Sequence, residues 1–340
     1  MGFDRLLREA VSLDVPEIPR PKVRVVGCGG AGGNSVDRLH RLGVPHAETL
    51  AINTDALHLS RIQAHRKLLV GSHLTKGLGA GGDPEVGRRA AEDADEELRG
   101  HLEDSDLVFL TVGLGGGTGT GVAPHVAGLA RELGAVVVSI ATLPFTHERH
   151  RARHAHEWAH RLRKQSDTTI LLDNNRLLEV APHLPMEHAL AVMDHLVCEI
   201  VRNVSDSIAV PDLINIDFAD LRAVMRLGGE STVLCGEGSP REPEKVVAAT
   251  LSHPMVSFDP SGARGALIHI ASGPSISLRA VDGILGGLTR TLREDANVIY
   301  GTRISRELEG TARVMCIMTG VPSREPPEGG RVLHGLAVVA

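Results

Sequence analysis

The sequence predicts an α/β protein with a Rossmann-like, mostly parallel sheet, followed by a long helix and a smaller α+β region. Over residues 22–186, apolar runs rich in β-branched residues alternate with stretches of helical periodicity, as in a parallel sheet covered on both faces. Residues 187–207 then carry apolar side chains at helical spacing over about 30 Å of rise. From residue 231 onward, strands and helices follow in a mixed order.

The composition argues against several classes of protein. The chain has 340 residues, 42% of them hydrophobic, which is enough for two domains with sizeable cores. A net charge of −6 argues against a nucleic-acid-binding protein, which would present a basic surface. The four scattered cysteines predict neither a zinc site nor a disulfide framework and fit a reducing cytoplasm. We expect no signal peptide and no transmembrane segment.

The N-terminal residues predict a short element that precedes the first domain. Residues 3–13 place their apolar side chains on one helical face, and Pro16, Pro19 and Pro21 follow as a stiff connector. We therefore expect residues 1–21 to form an amphipathic helix packed on the first domain, followed by this connector.

The first glycine segment follows an apolar strand at Val23–Val26 and leads into a helix. Gly27, Gly29 and Gly32 match the pattern G-x-G-x-x-G, and Asp55 lies near the distance expected of a ribose-binding acid. Alone, this match is typical of an NAD(P)-dependent oxidoreductase, which stays an alternative at this point. The match is weak, because a second glycine segment has no role in such an enzyme.

That second segment, Gly113–Gly121, lies between the predicted strand Asp106–Val112 and a predicted helix at Val122–Leu133. Six of its nine residues are glycine, which lets a ligand approach the main chain closely. Free N–H groups at a helix start favour anions, and phosphates above all. The segment is not a Walker P-loop, because no Gly-Lys-Ser/Thr follows.

A third glycine segment, Gly77–Gly87, ends in a predicted helix start. Asp83 is expected to cap this helix and Pro84 to occupy its first position, with the helix continuing to Glu103. If the sheet is parallel, all three segments meet at the carboxyl ends of the strands, where such folds bind ligands.

The run Gly115–Gly121, with the sequence Gly-Gly-Gly-Thr-Gly-Thr-Gly, resembles the signature of the tubulin/FtsZ superfamily of GTP-dependent polymerising proteins. Ala51–Asp55, Leu213–Leu221 and Asp259–Gly265 also resemble FtsZ motifs, and the resemblance spans residues 22–320. The run Asp-Asn-Asn-Arg-Leu-Leu is more similar to archaeal than to bacterial members.

The resemblance implies a cytoplasmic GTPase that binds GTP or GDP and assembles head to tail with copies of itself into protofilaments, in cell division or cell shape. It also implies Mg²⁺ with the nucleotide and a monovalent cation at the catalytic loop. The implied parts are a GTP-binding domain at 22–186, a central helix at 187–210, a C-terminal α+β domain at 211–322 and a tail at 323–340. The tail does not identify a membrane-anchoring partner.

The resemblance also implies roles for individual residues. The residues implied to bind GTP are Gly30, Ala31, Gly32, Gly33, Asn34, Gly116, Gly117, Thr118, Gly119, Glu148, Arg151, Asn174 and Asp194. Of these, Glu148 and Arg151 would contact the sugar, and Asp194 would accept hydrogen bonds from guanine N1 and N2. The residues implied to be catalytic are Asn215, Asp217 and Asp220, and the carboxylates of the two aspartates would orient the attacking water.

The implied catalytic residues lie at the far end of the long helix from the nucleotide. We therefore expect Asp217 and Asp220 to serve the GTP of a neighbouring copy, so that hydrolysis requires assembly. One alternative is a homologue that binds nucleotide but polymerises or hydrolyses weakly. Two features favour that alternative. The family commonly has a base-stacking Phe where this chain has Leu190, and the alignment with the family around Arg151 is ambiguous.

Histidines crowd the stretch after a further predicted buried strand, Ala135–Thr142. His150 and His154, like His156 and His160, are separated by four residues, a spacing that can chelate a metal ion. No acidic or cysteine ligand lies at matching spacing. We therefore predict a solvated, weakly basic helix and no metal site.

Overall fold

The computed structural model describes residues 20–44, 46–209, 213–228, 230–252 and 262–321. The helix expected at residues 3–13, the proline connector up to residue 19, the tail at 323–340 and the first three residues of the motif at Asp259–Gly265 lie outside the described residues.

The described residues form strands and helices that we number in chain order. The strands are β1 (Val23–Cys28), β2 (Ala47–Asn53), β3 (Arg66–Leu69), β4 (Leu107–Gly113), β5 (Val136–Leu143), β6 (Thr168–Asp173), β7 (Glu230–Gly238), β8 (Gly265–Ser272), β9 (Asn297–Ile304) and β10 (Ala312–Val321). The helices are α1 (Gly29–Leu42), α2 (Ala56–Arg61), α3 (Ser72–Thr75), α4 (Pro84–Glu92), α5 (Asp95–Leu102), α6 (Thr118–Glu132), α7 (Arg149–Gln165), α8 (Asn175–Val180), α9 (Met186–Ala209), α10 (Phe218–Met225), α11 (Pro243–Leu251) and α12 (Leu278–Thr289).

All ten strands belong to one sheet, in the order β3-β2-β1-β4-β5-β6-β7-β10-β8-β9. The first six strands are parallel, whereas β10 runs antiparallel to both β7 and β8. The predicted α/β class, with a Rossmann-like parallel region and a smaller α+β region, is confirmed. The two regions meet at β6 and β7, which pair over only two residues of each strand.

The strands of the parallel region are apolar along their whole length because both of their faces are covered. In β4, for example, every residue from Leu107 to Val112 is buried. One face of the sheet carries a single hydrophobic cluster that includes α1, α9 and α10 and continues from β1 to β10. The opposite face carries two separate clusters, one under α4 to α7 and one under α11 and α12.

The helix α9 lies across the shared face of the sheet. It spans 24 residues, from Met186 to Ala209, slightly longer than the predicted 187–207. Twelve of its residues are buried, which matches the apolar periodicity seen in the sequence. The helix is therefore about 36 Å long.

Three predicted boundaries were wrong. α6 begins at Thr118 and not at Val122, and α1 begins at Gly29, directly after β1, so both glycine segments supply helical turns. The predicted helix to Glu103 is two helices, α4 and α5, with a break at residues 93–94. The cap was correct, because Asp83 accepts the N–H of Glu85.

Candidate functional site

The three glycine segments meet at the carboxyl ends of β1, β2 and β4, as predicted. A Cβ built on Gly29 would lie 2.5 Å from the backbone nitrogen of Gly119, and one built on Gly117 would lie 2.8 Å from that of Asp83. These distances are too short for any side chain, so glycine is required where one main chain contacts another. The amino ends of α1 and α6 therefore lie side by side.

Two glycines of these segments border open space instead. A Cβ on Gly116 would have no heavy atom within 4 Å, and one on Gly30 would meet only Nε2 of His58, at 3.9 Å. Gly30 and the following Ala31 are exposed, as is Asn34, whereas Gly32 and Gly33 are buried. The space beside Gly30 and Gly116, between two helix amino ends, suits a phosphate group.

The threonines of the second glycine segment have different partners. Oγ1 of Thr118 lies 2.5 Å from Oγ1 of Thr54, at the end of β2. Oγ1 of Thr120 is buried and accepts the N–H of Gly115 at 2.9 Å. Thr120 therefore holds the turn, and Thr118 is the hydroxyl at the amino end of α6.

The sequence motifs did not single out His58, which lies on α2 beside this space. Asn53 Oδ1 accepts the N–H groups of Thr54 and Asp55, so its Nδ2 must donate to Nδ1 of His58, at 3.2 Å. The ring proton of His58 is therefore on Nε2, the atom nearest Gly30. Asp55, considered above as a ribose ligand, caps α2 by accepting the N–H of His58.

The two residues implied to contact the sugar are brought together. Arg151 donates to Oε2 of Glu148 at 2.8 Å, and Oε1 of Glu148 accepts the N–H of Phe145 at 3.1 Å. The main chain of Arg151 lies against the glycine segment, 2.7 Å from a Cβ built on Gly115. The pair therefore lies next to the second glycine segment.

The two residues implied to bind the base each carry a side-chain oxygen to which the protein supplies few or no hydrogen-bond donors. Oδ1 of Asn174 is buried and has no hydrogen-bond partner among the described residues. On α9, Asp194 accepts a hydrogen bond of 2.6 Å from Ser35. Burial raises the pKa of Asp194, although the Ser35 hydrogen bond and the charge of Arg38 act in the opposite direction.

An orphaned buried amide oxygen is rare in a native fold, and a carboxylate with a raised pKa gains from further donors. The N–H groups of a guanine edge would supply such donors to Asp194. Leu190, one turn before Asp194 on α9, is 37% exposed, so its apolar side chain is partly open to solvent. Ser35 and Arg38, both on α1, are site residues that the sequence motifs did not reveal.

The loop implied to be catalytic is attached to β9 by alternate residues. Ile214 forms an antiparallel bridge with Thr302, and the side chain of Ile216 is only 4% exposed. Asn215, Asp217 and Asp220 are exposed. Asp217 is the N-cap of α10, yet its side chain accepts no capping hydrogen bond, and Asp220 lies in the first turn. The local fold therefore does not use either carboxylate as a cap.

The structure separates this loop from the residues implied to bind GTP. Fifteen residues of α9 follow Asp194 before the helix ends at Ala209, a rise of about 22 Å. The carboxyl end of α10 is held at the amino end of β6, where Thr168 donates to the carbonyl of Met225 at 2.8 Å. Asn174 follows the opposite, carboxyl end of β6. The implied site residues thus form two groups.

Among the residues that the structure describes, no helix is both long and apolar enough to cross a membrane. Nor do three histidine, cysteine, aspartate or glutamate side chains in the described ranges cluster closely enough to hold a metal ion, although the rings of His150 and His154 lie 4.2 Å apart.

Comparisons with known families match both regions of the chain. The model of the tubulin/FtsZ family GTPase domain matches residues 22–182, and that of the FtsZ family C-terminal domain matches residues 223–322. The cell division protein FtsZ 2 of Methanocaldococcus jannaschii is 49% identical over 311 residues, which cover 90% of this chain and 82% of that protein. FtsZ 1 of Pyrococcus furiosus is 46% identical over 307 residues, with 90% and 82% covered.

Solved structures agree with the sequence comparisons. The empty FtsZ dimer of M. jannaschii superposes with a TM-score of 0.84 at 40% identity, covering 95% of this chain and 94% of that one. The GTPγS-bound protofilament of CetZ2 from Haloferax volcanii, 22% identical, shares the fold with a TM-score of 0.76 over 88% and 93% of the chains. These findings do not support an oxidoreductase. With both family models matched and archaeal relatives nearly half identical over most of their length, the chain belongs to the tubulin/FtsZ family, as its glycine signature predicted.

Proposed function

We propose that this chain is a GTPase that polymerises head to tail, with each GTP hydrolysed between two copies, and that it acts in the cytoplasm in cell division or cell shape. The family and the relatives named as cell division proteins support the GTPase and the division role. Residues 22–186 would bind the nucleotide, the central helix at 187–210 would connect, and residues 211–322 would carry the catalytic loop to the next copy.

The nucleotide would lie across the carboxyl edge of the parallel strands. Gly30 to Asn34 and Gly116 to Gly119 would hold the phosphates with main-chain N–H groups, helped by the hydroxyl of Thr118. Glu148 and Arg151 would contact the sugar. The unpaired Oδ1 of Asn174 and the carboxylate of Asp194 would accept from the guanine edge, a pattern that adenine cannot satisfy.

The proposal of a shared site rests on the distance along α9 between the two groups of residues. Asn215, Asp217 and Asp220 are exposed and lie beyond the end of a helix that runs about 22 Å past Asp194. Such a loop can reach the phosphates of a second copy stacked in the same orientation, and a repeated contact of this kind makes a filament.

In the shared site, the loop would position water against the terminal phosphate. Asp217 and Asp220 would orient the water, and Asn215 would hold it or the loop by its amide. Mg²⁺ bound with the nucleotide would neutralise charge that develops on the phosphate oxygens. A monovalent cation would bind at the same loop.

A complementation experiment tests this arrangement. We expect GTP turnover per molecule to rise cooperatively with protein concentration and to be lost in Asp220→Asn. Asp194→Asn should also show little turnover when GTP is kept well below the weakened Kd of this variant. A mixture of the two variants should recover turnover, because an Asp220→Asn copy binds GTP and an Asp194→Asn copy supplies the intact loop.

The matched control is Asp282→Asn, which removes an exposed helical carboxylate far along the chain and should leave turnover unchanged. Turnover that stays constant on dilution, or a mixture no more active than its components, would contradict the shared site. Normal nucleotide binding with no turnover at any concentration would favour the alternative of a weakly polymerising homologue, to which the apolar Leu190 points.

A further inference from the structure

His58 is a polar side chain that borders the proposed phosphate space and has no role in the site proposed above. It lies in the first turn of α2, where its main-chain N–H donates to the capping carboxylate of Asp55 at 2.9 Å. Its side chain is partly buried, with one edge of the ring towards β2 and another towards α1. The position of this ring is therefore set by the carboxyl end of β2.

One ring nitrogen of His58 is occupied by the protein. Asn53 is only 4% exposed, and its Oδ1 accepts the N–H groups of Thr54 and Asp55, which fixes the orientation of its amide. Its Nδ2 donates to Nδ1 of His58 at 3.2 Å, so the ring proton is on Nε2. In the described ranges, that Nε2–H has no hydrogen-bond acceptor. The ring thus carries one donor that the fold orients but does not use.

The unused donor borders open space beside the first turn of α1. Nε2 of His58 would lie 3.9 Å from a Cβ built on Gly30, and that Cβ would meet no other heavy atom within 4 Å. Cε1 of the same ring would lie 3.4 Å from a Cβ on Gly33, an ordinary van der Waals distance. The ring therefore packs along α1 and leaves the space beside Gly30 unfilled.

The helices that begin around this space differ in how their first N–H groups are satisfied. α2 and α4 begin at the capping carboxylates of Asp55 and Asp83. The N-cap residues of α1 and α6 are Cys28 and Gly117, which supply no side-chain cap, and neither first turn contains an acidic residue. An anion between α1 and α6 would supply the acceptor that these helices lack. The Nε2–H of His58 borders the α1 side of that space.

We propose that His58 binds a phosphate group of the nucleotide, with its Nε2–H donating to a phosphate oxygen beside Gly30. The inference rests on the proposed GTP site and adds to it a side-chain donor that is not among the residues implied by the resemblance. Because Asn53 already orients the ring, little conformational freedom is lost when the phosphate binds. A hydrogen bond to a charged acceptor is stronger than one between neutral groups, so removal of this donor should measurably weaken binding.

Two substitutions at this position separate the roles of the two ring nitrogens. His58→Asn places Oδ1 near the position of Nδ1, so it keeps an acceptor for Asn53 but has no donor near the position of Nε2. His58→Gln reaches the position of Nε2 with an amide N–H but has no acceptor near that of Nδ1. The first variant therefore tests the phosphate contact, and the second tests the contact with the fold.

Calorimetric titration with GTPγS and thermal unfolding without nucleotide measure the two roles. His58→Asn should bind GTPγS about tenfold more weakly than the wild type and melt at the same temperature. His58→Gln should bind within about threefold of the wild type, yet melt at a lower temperature, because Nδ2 of the buried Asn53 loses its acceptor. The matched control is His160→Asn, at an exposed histidine on α7, which should change neither quantity.

Repeating the titration with GDP locates the contact. The same loss of affinity with GDP would place it on a phosphate that both nucleotides carry, and a loss confined to GTPγS would place it on the terminal phosphate.

Unchanged GTPγS affinity in His58→Asn would overturn the inference and leave the proposed GTP site intact. Losses of affinity in both variants that follow their melting temperatures would also overturn it, because His58 would then act only through the fold. If the wild type binds neither nucleotide, the proposed function fails and this inference fails with it.

Discussion

Glycines of one segment serve different purposes, and only their surroundings distinguish them. A Cβ on Gly32 would lie 2.3 Å from the carbonyl oxygen of Thr111, so this glycine permits α1 to pack on β4. A Cβ on Gly30, two residues earlier, would have no atom nearer than 3.9 Å. The absence of a side chain at Gly30 is therefore not explained by packing within the chain, whereas the proposed close approach of a phosphate would explain it.

Replacing Gly30 with alanine tests that explanation. The added methyl group fits the fold, and alanine favours the helix, so we expect the free energy of unfolding to stay the same or to rise by up to about 1 kcal/mol. The methyl group would occupy space proposed for a phosphate, so GDP affinity should fall by about tenfold, the equivalent of 1.4 kcal/mol. Calorimetric titration and thermal unfolding measure the two quantities.

The control is Gly286→Ala on α12, where a Cβ also meets no atom within 4 Å. It should give a similar gain in stability and leave GDP affinity unchanged. Unchanged affinity in Gly30→Ala would mean that no phosphate approaches α1 at this residue.

Asp194 connects nucleotide specificity to pH. In the proposed site Asp194 accepts from guanine only when its carboxylate is ionised. Burial raises the pKa of that carboxyl, so GDP affinity should decline on acidification from a higher pH than an ordinary aspartate would give. Asp194→Asn should weaken GDP binding by about 10- to 100-fold, since a hydrogen bond to a charged group is worth about 1.5–3 kcal/mol. Its residual affinity should not vary with pH in that range.

The same shift makes a prediction about stability. The folded, unliganded chain binds a proton at Asp194 more tightly than the unfolded chain does, so the free energy of unfolding falls as pH rises between the two pKa values. Above that range Asp194→Asn should therefore melt at a higher temperature than the wild type without nucleotide. A variant that is both weaker in binding and less stable would argue that Asp194 has a structural role instead.

At the scale of elements, the sequence predicted what depends on local pattern. The buried strands β1, β4 and β5, the long helix α9 and the cap at Asp83 were recognisable from apolar periodicity and capping residues. The starts of α1 and α6 were missed because glycine is a poor helix former. Glycine occurs there because the two helix starts pack closely against each other, which the sequence pattern does not show. The edge strand β3 was missed because it has only four residues, two of them exposed, and lacks alternation.

The attachment to β9 of the loop proposed to be catalytic gives an element-scale prediction. A Cβ on Gly301 would lie 2.8 Å from Cγ1 of Ile216 and 3.1 Å from the carbonyl of Ile214. Gly301→Ala should therefore push the loop out of position and lower GTP turnover by about tenfold or more, because small displacements of positioning groups are costly. GDP affinity should be normal, since the nucleotide-facing residues are not touched.

Turnover and calorimetry on the same preparations separate these effects, and Gly286→Ala again serves as the control. Equal losses of turnover and GDP affinity in Gly301→Ala would indicate general unfolding. Full activity would show that the position of the loop on β9 does not matter for hydrolysis.

At the scale of the molecule, the sequence did not reveal that both regions share one sheet. The pairing of β6 with β7 involves Thr169 and Ile170 with Glu230 and Ser231, far apart in the chain and too few to leave a pattern. The narrow join means that the sheet alone couples the regions weakly. The hydrophobic cluster that continues from α1 and α9 to β10 is the broader connection.

Among the described residues, only one face of the sheet has a hydrophobic cluster that continues through both regions. We therefore predict that the same core substitution on neighbouring strands destabilises different parts of the chain. Ile317 of β10 belongs to the continuous cluster, and Ile268 of β8 belongs to the cluster confined to the smaller region. Both side chains are fully buried, so each change to alanine should cost about 2–5 kcal/mol. Ile317→Ala should also reduce hydrogen-exchange protection in α1 and β4, whereas Ile268→Ala should reduce it only from β7 to β10.

The comparison is sharp because the two substitutions remove the same atoms from positions one strand apart. Ile317→Ala should weaken GDP binding as well, since α1 and α9 carry Ser35 and Asp194 on the same shared core. Saturating GDP should restore much of its lost protection, because a ligand of the folded state stabilises every element coupled to its site. Identical protection maps for the two variants would mean that the two regions unfold as one unit whichever face is damaged, and that the continuous cluster has no special role in joining them.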